Sequence, residues 1–198
     1  VDNNQFVFRI DSNEFAQPMT HYVEHPIEID FHFNSIAYNK AGAVIRMFWH
    51  AFGEETFMDG VISYLRANAF SDADEDDLFD AIALAVWEDN EVILPPGTNV
   101  SAIMASWTRQ AGFPVITVER NYDSNTNQVT LTQQRYYSYP PQNPENQTWW
   151  VPYTLITPTN LDFEDTRADG WIPNTPSVQI TVDNLGADDF LLINKQAA

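Results

Sequence analysis

Residues 98–118, TNVSAIMASWTRQAGFPVITV, change their period part-way along. Val100, Ile103, Met104 and Trp107 recur at the three- and four-residue spacing of one helix face, behind Thr98 or Asn99 as an N-cap. Gly112 is placed as the C′ glycine that closes this helix, with Pro114 two residues on to prevent its continuation. From Phe113 to Glu119 the residues read as a strand. The chain is therefore expected to be helical before this point and β after it.

The pattern extends in both directions. Upstream, Val44, Met47, Phe48, Ala51 and Phe52 mark one amphipathic helix, and Phe57, Val61, Tyr64 and Leu65 mark the next, with Gly53 between them. The acids of Ser71 to Asp77 suit the positive end of a third helix, which buries Leu78, Ile82, Ala85 and Val86. Downstream the period is two. Val129 and Leu131 alternate with threonines, as do Trp149, Val151, Tyr153 and Leu155 with polar or proline neighbours, and Val178, Ile180 and Val182 with Gln179 and Thr181. With Phe113–Glu119 and Phe190–Ile193 this makes at least five strands, enough for an antiparallel sandwich; Pro152 puts its strand at an edge. Eight of the 12 prolines fall after Gly112, and Tyr136–Gln147 reads as a loop. The expected fold class is α+β, with residues 1–112 helical and 113–198 a β-sandwich.

Composition limits the function. A chain of 198 residues, 44% hydrophobic and 14% aromatic, can build a packed core. Its 9 Lys and Arg against 28 Asp and Glu give a net charge of −19, a field that repels nucleic-acid phosphates and anionic lipid surfaces. No apolar run nears the roughly 18 residues of a membrane span; the longest is Ala81–Trp87. There is no cysteine, hence no disulfide framework and no thiolate metal site. Asn99-Val100-Ser101 and Asn146-Gln147-Thr148 are N-glycosylation acceptors, used only in the secretory pathway.

Few residues carry chemistry by spacing alone. His21-Tyr22-Val23-Glu24-His25 spells H-x-x-E-H, which on a helix would offer two zinc ligands and a base. Pro26 pushes His25 out of the α region and Pro18 marks a loop, so these read as solvated loop histidines. His32 and His50 have no partner at ligand spacing. The acids of 72–77 lack the glycine and distal glutamate of a calcium loop, and there is no phosphate loop and no G-x-S-x-G serine. No metal site is assigned to this chain.

Four blocks, however, stand in a specific order: Ile36-Ala37-Tyr38-Asn39-Lys40 followed by AGAVIRMF, then GEETFMDGVISYL, DDLF at 76–79, and IMASWTRQAGFPVITV at 103–118. With Pro26-Ile27-Glu28-Ile29 upstream, the chain resembles the zinc aminopeptidase N family, and is most similar to lepidopteran midgut forms. The resemblance is strong to about residue 119 and weaker beyond. It implies a zinc exopeptidase that removes the N-terminal residue of a peptide, built from a thermolysin-like helical catalytic domain and a β-sandwich. The family's H-E-x-x-H and G-A-M-E-N motifs are not in this sequence, so the resemblance implies that 1–112 is the later part of the catalytic domain. It also implies that 113–198 is a sandwich short of its last strand, that the zinc belongs to the parent enzyme, and that the chain alone is inactive.

One catalytic residue carries over by motif. Tyr38, in the Y-x-K position, matches the tyrosine whose hydroxyl donates to the oxyanion of the tetrahedral intermediate in this family. Relatives often have Gly directly after the Lys, where this chain has Ala41, which leaves the helix-start geometry open. Phe33 falls where relatives line the substrate cleft. Taken without the family, Tyr38 reads as a ring packed at a helix N-terminus and Phe33 as a buried loop residue. The implied setting is an extracellular, membrane-anchored ectoenzyme glycosylated at Asn99 and Asn146, its anchor outside this chain. The rival reading is a binding module, such as a docking surface for a bacterial pore-forming toxin.

Overall fold

The computed structural model describes residues 2–122 and 126–196. Six helices come first: α1 (Asp2–Asp11), α2 (Pro26–His32), α3 (Ala41–Phe52), α4 (Glu54–Ala67), α5 (Glu75–Glu88) and α6 (Val100–Thr108), with one π-helical turn, Ile36–Lys40, leading into α3. Seven strands follow: β1 (Pro114–Arg120), β2 (Gln128–Arg135), β3 (Val151–Tyr153), β4 (Leu155–Ile156), β5 (Gly170–Ile172), β6 (Ser177–Thr181) and β7 (Leu192–Ile193). All strand pairs are antiparallel, and the chain is α+β.

The four helices expected from apolar spacing are α3 to α6. Asp74 caps α5, its carboxylate accepting from the N–H groups of Asp76 and Asp77, which is where the acids of 72–77 act. Asn99 caps α6 through the N–H of Ser101. Gly53 divides α3 from α4 at φ 88°, a left-handed conformation that a Cβ would strain. Gly60 lets α4 and α5 touch backbone to backbone, since a Cβ there would sit 2.8 Å from the Ile82 Cα. Helices α1 and α2 lie outside the apolar spacings read from the sequence. Helix α2 instead starts on Pro26, with the Glu28 carboxylate accepting from the N–H groups of Glu24 and His25, and it buries none of its residues.

The helix-to-strand junction differs from expectation in detail. Helix α6 ends at Thr108 with Arg109 as C-cap, so Gly112 is not its C′ residue. Gly112 does have positive φ, 84°, but its role is different: the Arg135 side chain packs where a Cβ would be. Phe113 stays outside the strand, its ring tilted against Phe8 at 4.6 Å and against Tyr136 at 5.5 Å, and β1 opens one residue later.

In the second segment β1, β2 and β6 form a sheet in the order β1-β2-β6, while β3 pairs only with β5 and β4 only with β7. Pro152, with no N–H to donate, thus lies on a strand with a single neighbour. The buried alternation of β2 runs past Val129 and Leu131 to Gln133 and Arg135. Gln133 is satisfied there, accepting from the Trp149 N–H and donating to the carbonyls of Trp149 and Pro173. Val129, Leu131, Ile172, Val182 and Leu185 form one apolar cluster among the sheets. The main core gathers Phe48, Phe52, Phe79, Ile82, Ile103 and Trp107 from the helices, and is completed by Trp149, Ala168 and Trp171 from the second segment. Among the described residues no helix is long and apolar enough to cross a membrane.

Candidate functional site

The π-helical turn decides where Tyr38 points. Ile36 and Lys40, four residues apart, are both buried, and the residue between them is turned outward. The Asn34 side chain opens the turn, its Oδ1 accepting from the N–H groups of Ile36 at 2.8 Å and Ala37 at 3.1 Å. The Ala41 N–H reaches back to the Ile36 carbonyl, a five-residue step that marks the π register, and Ala41 itself has ordinary helical angles. Ala in place of Gly therefore costs this turn nothing. Tyr38 is 63% exposed and Phe33 67%, their ring centroids 6.4 Å apart. Neither is packed away, so the bland readings of a ring buried at a helix start and a buried loop residue do not describe them.

Beneath Tyr38 lies an ion pair that no sequence pattern announces. Lys40 Nζ is 2.8 Å from Asp11 Oδ2, with both side chains almost fully buried. The ammonium also donates to the carbonyls of Gln110, at 3.2 Å, and Gly112, at 2.8 Å. Asp11 Oδ1 in turn accepts from the Gly112 N–H at 2.8 Å. Burial pulls the Lys40 ammonium below the usual lysine range, while Asp11 pulls the other way. One salt bridge thus ties α1, the π turn and the helix-to-strand junction together. Lys40 has a role in the fold; Asp11 went unread because its partner is 29 positions away, beyond any local period.

The histidines do not assemble into a site. His25 is extended, φ −120° and ψ 141°, and precedes α2, so it shares no helix face with His21. His21 lies instead against His32, ring centroids 4.0 Å apart and planes tilted by 32°. The His21 Nδ1 is within 3.2 Å of the Pro18 carbonyl. Among the described residues no group of three or more His, Cys, Asp or Glu side chains could hold a metal. The described residues thus offer no ligand set for the zinc that the resemblance assigns to the parent enzyme. His50 is bound to Thr166, Nδ1 to Oγ1 at 2.7 Å, and burial, then the Arg46 charge, holds it below the usual histidine range.

The helical segment carries many exposed apolar side chains. Tyr22, Ile27, Phe31 and Phe33 are all exposed, and on α3 and α4 so are Ile45, Met58 and Leu65. The side chains that face inward from the same two helices, Val44, Phe48, Ala51, Phe52 and Phe57, are buried. The sequon residue Asn146 sits in the irregular, exposed stretch before β3, whereas Asn99 is engaged as the cap of α6.

Comparison with known proteins agrees with this arrangement. The model of the peptidase family M1 domain matches residues 1–107, ending where α6 ends. The chain is 35% identical over 197 residues to an aminopeptidase N of Plutella xylostella, covering 99% of the chain and 20% of that protein. It is 29% identical to a membrane alanyl aminopeptidase of Manduca sexta, over 95% of the chain and 19% of the relative. An alanine/arginine aminopeptidase of Saccharomyces cerevisiae shares 33% over 84% of the chain and 18% of its own length. The chain spans about a fifth of the length of these relatives. On the matched helices and the order of its sequence blocks, the chain belongs to the M1 family of zinc-dependent peptidases.

Proposed function

We propose that the parent protein is a zinc aminopeptidase that hydrolyses the N-terminal residue from peptides, and that this chain gives it the hydroxyl of Tyr38. The observation that carries the reading is the outward Tyr38 on a π turn clamped from beneath by Lys40 and Asp11. A phenol O–H is a good donor to an oxyanion, and a donor fixed in place before reaction stabilises charge without reorganising at the moment of attack. Phe33, beside it, forms part of the wall against which the substrate side chain lies. Zinc and the general base are supplied by parts of the parent outside these 198 residues, and the chain alone is inactive.

The same reading assigns residues 1–112 to the later part of a thermolysin-like catalytic domain and 113–198 to a β-sandwich. The change from helices to antiparallel strands between Thr108 and Pro114, and the second apolar cluster, support it. The exposed apolar side chains of the helical segment are of the kind that further catalytic-domain structure would cover. A cell-surface ectoenzyme is the proposed setting, in keeping with the membrane alanyl aminopeptidases of Manduca sexta and Heliothis virescens.

Tyr38→Phe in the full-length enzyme is the test. Losing one oxyanion donor is expected to lower kcat by about 10² to 10³, with KM changed far less. Zinc content and melting temperature are expected to stay as in the parent, because the exposed ring is kept. A Phe variant that retains more than about a tenth of kcat removes Tyr38 from the oxyanion site.

A further inference from the structure

Where α1 and α3 face β1 and β3 there is a cleft of about 340 Å³, at the small end of the roughly 300–1,000 Å³ typical of small-molecule sites. Its walls are mainly apolar, with Val7, Phe8, Met47, Phe113 and Val151 among them. Its charged groups lean towards positive, with Lys40, Arg46 and Lys195 against a single carboxylate, Asp11, and the His50 imidazole beside them. In a chain of net charge −19 that balance is inverted.

The neighbours of these groups decide which of them is available. Asp11 is already taken by Lys40 and the Gly112 N–H, and Lys195 lies 3.6 Å from Asp169 with the Asp165 carbonyl at 3.2 Å. Arg46 makes no ion pair among the described residues, and the group whose charge it opposes is His50. The cleft thus joins an apolar pocket to a guanidinium that no carboxylate among the described residues pairs with. That is the complement of a molecule with an alkyl body and an anionic head.

We propose that this cleft binds a medium-chain aliphatic carboxylate, its alkyl chain between Met47, Phe113 and Val151 and its carboxylate at Arg46 and His50. The proposal is independent of the peptidase reading, since it uses neither Tyr38 nor zinc. A bidentate carboxylate–guanidinium contact is a strong charge-assisted pair, and the apolar walls select the alkyl body by burial.

The experiment is calorimetric titration of the 198-residue chain with sodium decanoate, kept below micelle formation, beside decanol as the uncharged control. Saturable binding of one decanoate per chain is expected, with a raised melting temperature and an affinity about tenfold above that of decanol, the worth of one charge-assisted bond. Arg46→Gln is expected to bring decanoate down to the decanol level. Ala43→Leu, which fills the cleft from α3, is expected to abolish binding of both. The melting temperatures of the unliganded variants report that each still folds. Equal affinity for decanol and decanoate, no saturation at one per chain, or binding that survives Ala43→Leu each overturns the proposal.

Discussion

Lys40→Met is the most demanding perturbation of this structure, because it removes one charge from a pair whose side chains are only 5% and 2% exposed. In the wild type the ammonium serves three acceptors: Asp11 at 2.8 Å and the carbonyls of Gln110 and Gly112. Methionine has similar length and fills the space, so the cavity contribution is small. What remains is a carboxylate only 2% exposed, with the Gly112 N–H as its one recorded donor, and two carbonyls without an ammonium. Breaking a buried pair from one side costs about 3–5 kcal/mol, a large part of the roughly 5–15 kcal/mol that holds a typical domain folded. The companion variant Lys40→Met/Asp11→Asn removes both charges but keeps an amide oxygen for the Gly112 N–H. It is expected to be more stable than Lys40→Met alone by about 2 kcal/mol, the sign that an uncompensated charge and not lost packing dominates. Urea unfolding midpoints of the three proteins measure this directly, in the expected order wild type, double variant, single variant. If Lys40→Met costs less than about 1 kcal/mol, or the double variant falls below the single, the pair is not the clamp described here.

Other perturbations reach different parts of the fold. Gly60→Ala gains about 1 kcal/mol of helix propensity, yet its methyl would lie 2.8 Å from the Ile82 backbone, so a net loss of about 1–2 kcal/mol is expected on thermal or urea unfolding. Asp89 is held below the usual carboxylate range chiefly by the Thr56 hydroxyl, and Asp165 by the Arg167 guanidinium. Carboxylates lowered by folding contribute stability above their unfolded value of 3.8 and lose it as pH falls through the folded one. Thr56→Val should therefore melt below wild type at pH 7, with the gap closing once the pH drops well under 3.8. Asn99→Gln removes a helix cap and is expected to cost about 1 kcal/mol, whereas Asn146→Gln leaves the melting temperature unchanged. On secretion from a eukaryotic host the reverse holds for mass, the glycan being lost with Asn146→Gln.

How much of this was legible follows from the range over which each signal acts. Helices α3 to α6 could be read because their apolar residues repeat within a few positions and their caps lie next to them: Asp74 and Asn99 bind backbone two or three residues away. Helices α1 and α2 could not. Much of what places α1 is Asp11 meeting Lys40 and Gly112, and α2 rests on a proline start and a glutamate loop closure without a buried face. Gly112 shows the same limit from the other side. A glycine was correctly required there, but its reason is the Arg135 side chain arriving from β2, not the end of α6. Gln133 and Arg135 are unreadable as inward residues for a related reason, since their partners are the Trp149 and Pro173 carbonyls, the Gln147 amide oxygen and the Glu145 carboxylate, 10 to 40 residues along the chain.

The site obeys the same division. Tyr38 was found by a motif, but its exposure follows from two contacts of different range: Asn34 capping a turn two residues on, and Lys40 reaching Asp11. The local contact starts the π turn, while the distant one fixes its rotation, because only with Lys40 held inward is Tyr38 forced outward. A sequence pattern reports the first kind of contact and is silent about the second. That is why Y-x-K could name the tyrosine without revealing what its lysine does. The pairing predicts a specific coupling in the full-length enzyme. Lys40→Met should lower kcat more than KM and more than its folded fraction explains, since the turn carrying Tyr38 loses its anchor; activity that falls only in step with the folded fraction would leave the salt bridge as a purely structural feature.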